Sequence, residues 1–91
     1  MNAGTIMARI FIDVREPLEF AMGHVKGAIN IPPAKLLKES RKLEGVLKDT
    51  ELVLYCHTGN RSYRAMNILK SQGYTNLVNG INKSQVEAKY L

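Results

Sequence analysis

Apolar positions along this chain fall into short unbroken runs, and the runs alternate with stretches of helical spacing. Ile10-Phe11-Ile12-Asp13-Val14 is β-branched and apolar and predicts a buried strand. Arg15-Glu16-Pro17 ends it, and Pro17 suits the first turn of a short helix running to Met22. Gly23 to Gly27 forms a turn before a second short strand, Ala28-Ile29-Asn30-Ile31, which Pro32-Pro33 stops. From Ala34 to about Leu43, the leucines at 36, 37 and 43 stand among Lys, Glu and Arg, the spacing of an amphipathic helix. Leu52-Val53-Leu54-Tyr55 is continuously apolar, so it predicts a strand covered on both faces, as in a parallel sheet. Ser62 to Ser71 predicts a helix with Gly73 at its C-terminal cap, and Asn76-Leu77-Val78 a last short strand. Lys83 to Leu91 has weak helical character and is expected to fray.

Strands alternating with helices predict an α/β layer structure with a mainly parallel sheet. Ligands in such sheets sit beyond the carboxyl ends of the strands. Cys56 lies at one such end, and Asp13-Val14-Arg15 at another. The 91 residues suit one domain, 1–91, with its packed core over about 10–80. Apolar content of 45% and charged content of 23% are those of an ordinary globular chain. No apolar stretch approaches the ~18 residues that span a bilayer, so no membrane partner is expected. The chain as given has no signal peptide and reads as cytoplasmic, or as periplasmic if one has been removed. Nothing in it predicts self-association, and a monomer is expected.

Charge and cysteine content narrow the chemistry further. A net charge of +5 favours anionic small molecules or acidic partners. Lys35, Lys38, Arg41, Lys42 and Lys48 lack the interleaved aromatics of a base-stacking platform, so they read as a solvated face and no nucleic acid is expected. One cysteine rules out an internal disulfide and a Cys-cluster zinc site. The two histidines, His24 and His57, are far apart in sequence. No metal and no cofactor are expected.

The most informative segment is Cys56-His57-Thr58-Gly59-Asn60-Arg61-Ser62, between the apolar run and the helical pattern. A thiol alone at a strand end is more often an inert core residue than a nucleophile. Its neighbours favour a nucleophile. Gly59 permits a tight path that turns N–H groups inward, while Thr58, Asn60 and Ser62 can donate or cap. Arg61 brings a forked cation for oxyanions. A loop and helix start of this kind bind anions and lower a thiol's pKa. Arg61 at the helix start opposes the helix dipole, so a compensating anion is expected there, a substrate or the thiolate itself. His57 invites a Cys–His dyad, but neighbours in a loop often point apart. His24 reads as a turn residue bonded to backbone, Glu16 as an anion at a helix start, and Asp13 as a carboxylate that ties down a loop. A cysteine phosphatase also uses a thiol under an anion loop. Loops of that design hold five residues between Cys and Arg, and here there are four.

These segments together resemble the rhodanese family. The first is Asp13-Val14-Arg15-Glu16-Pro17-Leu18-Glu19-Phe20, continuing as Gly23-His24-Val25-Lys26-Gly27-Ala28-Ile29-Asn30-Ile31-Pro32. The second is Cys56 to Ser62, and a weaker third is Gly73-Tyr74 with Leu77-Val78-Asn79-Gly80. The small size is similar to the single-domain thiosulfate sulfurtransferases of the bacterial phage-shock E type. The resemblance implies a central, mainly parallel five-stranded sheet with helices on both faces. It implies that Cys56 takes the outer sulfur of thiosulfate, or of another sulfane-sulfur donor, as a persulfide. Cyanide, a small thiol or a thioredoxin-like protein would accept it. His57, Thr58, Gly59, Asn60, Arg61 and Ser62 would bind the substrate, with Asp13 and Arg15 in support. A non-enzymatic binding module or a sulfur carrier for a specific protein is the alternative. Two glycines are often found near the family's last strand, and Asn79-Gly80 stands in for them here.

Overall fold

The computed structural model describes residues 9–38 and 40–91. The reading of the N-terminus as lacking a signal peptide lies mostly outside those residues. The chain runs β1 (Arg9–Asp13), α1 (Pro17–Ala21), β2 (Ile29–Asn30), α2 (Pro33–Leu36), β3 (Glu51–Cys56), α3 (Asn60–Ser71), β4 (Leu77–Asn82) and α4 (Lys83–Tyr90). A single 3₁₀ turn, Arg41–Leu43, lies between α2 and β3. The strands form one parallel sheet in the order β2-β1-β3-β4.

The period-two alternation of the strands sorts side chains to two faces. Ile10, Ile12 and Val14 join Leu52, Leu54 and Cys56 on one face, under Leu36 of α2 and Ala65 and Leu69 of α3. Val53 and Tyr55 go to the other face with Phe20 of α1 and Val86 and Tyr90 of α4. The unbroken apolar run of β3 is thus covered on both sides. The described residues supply four strands, not five. These are the four that the residue pattern predicts; the fifth rested on the resemblance alone.

Two helical expectations need correction. The stretch from Ala34 to Leu43 is not one helix but α2 and the later 3₁₀ turn, where the Ser40 hydroxyl accepts the Lys42 amide. Leu36 and Leu43 enter the core, whereas Leu37 is 67% exposed, so the apolar face is too narrow to carry a longer helix. The C-terminal segment, expected to fray, forms α4. The Asn82 side chain caps it by accepting the Gln85 amide at 2.9 Å. Val86 is wholly buried, and Tyr90 meets Phe11 edge-on at 5.6 Å beneath the Arg9 guanidinium. By contrast, α3 ends as its sequence predicts. Gly73 takes a positive φ of 101°, its amide reaching the Lys70 carbonyl and that of Tyr74 the Leu69 carbonyl.

The pairing of β3 with β4 slips by one residue, Leu54 opposing Asn79 and Tyr55 opposing Ile81. Gly80 is the extra residue of this bulge. A methyl group there would stand 2.6 Å from Val86 Cγ2 and 3.0 Å from Val53 Cγ1. Gly80→Ala is therefore expected to cost about 1–3 kcal/mol by overpacking. A denaturation midpoint equal to the wild type's would disprove the tight fit.

Candidate active site

The parallel sheet brings the carboxyl ends of β1, β2 and β3 to one edge, and Cys56 closes β3 there. The chain turns through His57 and Thr58, takes a left-handed step at Gly59 (φ 94°) and enters α3 at Asn60. This step is open to glycine and costly to residues with a Cβ. It turns the backbone back over the sulfur. The Gly59 amide donates to Cys56 Sγ at 3.1 Å, and the buried Ser62 hydroxyl stands 3.6 Å from Sγ. Cys56 is only 2% exposed. Burial pushes its thiol pKa up. The backbone and hydroxyl of Ser62 and the amides of Gly59 and Thr58 outweigh that, bringing it down to about 7.

The carboxylate paired with Arg61 in the structure is Glu19, from α1. Its carboxylate accepts Arg61 Nη1 at 2.8 Å and Nη2 at 3.3 Å. It also accepts the Glu16 amide at 2.8 Å, a bond that closes the first turn of α1. Arg61 above all, then the Glu16 amide, hold the Glu19 carboxyl at about 2, so it is ionised at neutral pH. His57 Nε2 lies 2.8 Å from the other Glu19 oxygen, which turns the ring to α1 and not to Cys56. Glu19 thus gathers both the cation and the histidine of the loop. The only sequence signal for it is an acid in a first helical turn, 42 residues from its partner.

Thr58 and Asn60 are exposed on the loop, and Gly59, not a side chain, occupies the cap position. Asn79 of β4, part of the weaker third segment, has no role assigned to it from the sequence. Its Nδ2 donates to the Gly59 carbonyl at 3.1 Å, and its Oδ1 lies 2.6 Å from Ser62 Oγ and accepts the Ile81 amide at 3.0 Å. The bulge at Gly80 and the positive φ of 74° at Ile81 bring that amide round to it.

Asp13 and Arg15 form a separate buried cluster at the end of β1. The Arg15 Nη2 atom donates to Asp13 Oδ2 at 2.7 Å and to the Gly23 carbonyl at 2.6 Å. The Tyr55 hydroxyl donates to the same Asp13 oxygen at 2.8 Å and accepts the Val25 amide at 2.9 Å. Burial and the neighbouring carboxylate raise the pKa of the Tyr55 phenol, so it stays protonated. This cluster fixes the turn Gly23–Gly27 and the end of β3, one residue before the thiol. His24 belongs to that turn, its ring stacked on Phe20 and its Nδ1 2.8 Å from the Phe20 carbonyl. Among the described residues no group of three or more His, Cys, Asp or Glu could hold a metal ion, and no helix is long and apolar enough to cross a membrane.

The fold and site define a class of α/β protein, a parallel sheet that carries a thiol in an amide-lined loop at a strand's carboxyl end. Comparison with known proteins gives the family. The rhodanese-like domain matches residues 1–85, and the chain belongs to the rhodanese family. It is 46% identical over 68 residues to the uncharacterized protein YqhL of Bacillus subtilis, covering 75% of this chain and 52% of that protein. It is 40% identical over 72 residues to the thiosulfate sulfurtransferase PspE of Escherichia coli, covering 79% and 68%. The chain thus spans about half to two thirds of the length of these relatives. A solved structure described as rhodanese with anions from E. coli superposes with a TM-score of 0.74 at 37% identity, over 85% of this chain and 89% of that one.

Proposed function

We propose that this protein is a sulfurtransferase that carries a sulfane sulfur on Cys56. The observation that supports this best is the loop around Sγ, where a buried sulfur meets the Gly59 amide at 3.1 Å and titrates at about 7. Such a site makes thiolate at neutral pH and favours a negative charge one atom further out. The thiolate attacks the outer sulfur of thiosulfate. A sulfur–sulfur bond forms at Cys56, the bond inside thiosulfate breaks, and sulfite leaves with the electron pair. An acceptor, cyanide or a thiolate, then attacks the outer sulfur of the persulfide and Cys56 leaves as thiolate. Sulfite needs no proton to depart, so no general acid is required. The turn of His57 to Glu19 is compatible with that.

Arg61 keeps part of its role. A guanidinium carries five N–H donors, and the two bonds to Glu19 leave others for a second anion. Glu19 offsets the charge of Arg61, which favours release of sulfite over retention of a dianion. The sequence match to PspE, a thiosulfate sulfurtransferase, supports the same reading.

Incubating the protein with thiosulfate, free of reductant, is expected to raise its intact mass by one sulfur atom. Cyanide should remove that mass and release thiocyanate. Absence of the adduct at neutral pH overturns the proposal. Phosphate release from an aryl phosphate would point instead to the phosphatase reading.

A further inference from the structure

Ser62 holds one hydroxyl proton and faces three acceptors. Asn79 Oδ1 is at 2.6 Å, the Gly59 carbonyl at 3.1 Å and Cys56 Sγ at 3.6 Å. The shortest contact takes the proton, which turns a lone pair of Oγ to the sulfur. In that arrangement the neutral thiol donates its S–H to Ser62. Once the thiol ionises, the useful arrangement is the reverse, with the hydroxyl donating to Sγ.

That rotation strands nothing. Asn79 Oδ1 keeps the Ile81 amide at 3.0 Å, and the Gly59 carbonyl keeps the Tyr63 amide at 2.9 Å and Asn79 Nδ2 at 3.1 Å. No buried acceptor is left bare, so the usual penalty for a lost partner is absent. We infer that Asn79 is a positioning residue that directs the Ser62 hydroxyl proton, and through it sets how readily Cys56 ionises. The inference builds on the sulfurtransferase reading of this site, but its measurement does not need sulfur transfer.

The groups around the sulfur leave this assignment clear. Arg61 on α3 is paired with Glu19 of α1, on which His57 also sits, and its attraction for the thiolate is the same in every variant compared. Asp13 on β1 is matched by Arg15. β4 carries no ionisable side chain, and the partners of Asn79 are all uncharged. Asn79 is one of two ties on the Gly59 carbonyl, and the Tyr63 amide within the start of α3 keeps the other when Asn79 is replaced.

Two substitutions are therefore expected to act with opposite sign. In Asn79→Asp the carboxylate grips the Ser62 proton more tightly than an amide does and opposes the rotation. The midpoint for alkylation of Cys56 by iodoacetamide should rise by about one pH unit, about tenfold less thiolate at a fixed acidic pH. In Asn79→Ala the nearest competing acceptor is gone and only the longer contact to the Gly59 carbonyl at 3.1 Å still competes, so the midpoint should fall, by less than Asn79→Asp raises it. In a Ser62→Ala background both shifts should largely vanish. Midpoints that rise together in both variants mean that Asn79 only braces the loop, and they overturn the inference. A rise in Asn79→Asp that persists without Ser62 means a direct effect of charge and overturns it too. Should Asn79→Asp not fold, the fall in Asn79→Ala and its loss without Ser62 decide alone. Failure of the wild type to take up sulfur would sink the sulfurtransferase reading and leave these midpoints standing.

Discussion

Cys56→Ser is expected to reduce sulfur uptake from thiosulfate to the uncatalysed level, a loss of about a thousandfold or more in turnover. The substitution keeps the size of the side chain and the amide contacts around it. It replaces a thiol that titrates at about 7 with a hydroxyl that does not ionise in the working range. The fold should be unaffected, since the serine hydroxyl can still accept the Gly59 amide. The same chemistry fixes the pH dependence of the wild type. In the proposed reaction thiolate is the reactive form, so the rate of uptake should rise with pH, from about one tenth of its limit at pH 6 to about nine tenths at pH 8. An ordinary thiol, near 8.5, would still be climbing at pH 8. Intact mass spectrometry on both proteins over pH 5.5 to 9 checks both statements. Uptake by the serine variant at a comparable rate would remove Cys56 from the reaction. A wild-type profile with its midpoint above 8 would remove the role given to the amide loop.

Asp13→Ala should have the largest effect on stability. The Asp13 carboxylate is wholly buried and receives the guanidinium of Arg15, the Arg15 amide and the Tyr55 hydroxyl. Removing it leaves Arg15, itself only 6% exposed, as a cation with one remaining bond to the Gly23 carbonyl. Breaking a buried ion pair by deleting one partner costs about 3–5 kcal/mol. A chain of this size has about 5–14 kcal/mol in total. Urea denaturation should show the variant close to the edge of folding. Asp13→Asn keeps an oxygen for the Arg15 amide and should cost less. A loss below about 1 kcal/mol in Asp13→Ala would mean that Arg15 finds another partner and that the cluster does not hold the turn.

The thiol loop was legible because its signals are local. An apolar run, a glycine and a helical pattern within a few residues define a strand, a left-handed step and a helix start, and those place amides on one sulfur. Asp13 tying down a loop was legible for a similar reason, its partner standing two residues away. Glu19 was not, because its pairing with Arg61 and His57 depends on how α1 packs across the end of the sheet. Asn79 was hidden by a bulge, a backbone event that no alternation of side chains announces. The C-terminal helix carries a single deeply buried anchor, Val86, too little for a periodic signal. The split of the 34–43 stretch shows the opposite error, where leucine spacing suggested a face that only Leu36 and Leu43 occupy. The sheet followed the residue pattern strand by strand, and no segment among the described residues supplies the added fifth strand.

If Cys56 carries sulfur as proposed, its being the one cysteine among these 91 residues has a cost. With no second thiol among these residues to attack it, a sulfur parked on Cys56 would have no exit within them. Discharge must wait for a visiting nucleophile, and each molecule holds at most one such cargo per visit. Within these residues no disulfide could rescue the sulfur once oxidised, so repair would fall to a thiol from elsewhere.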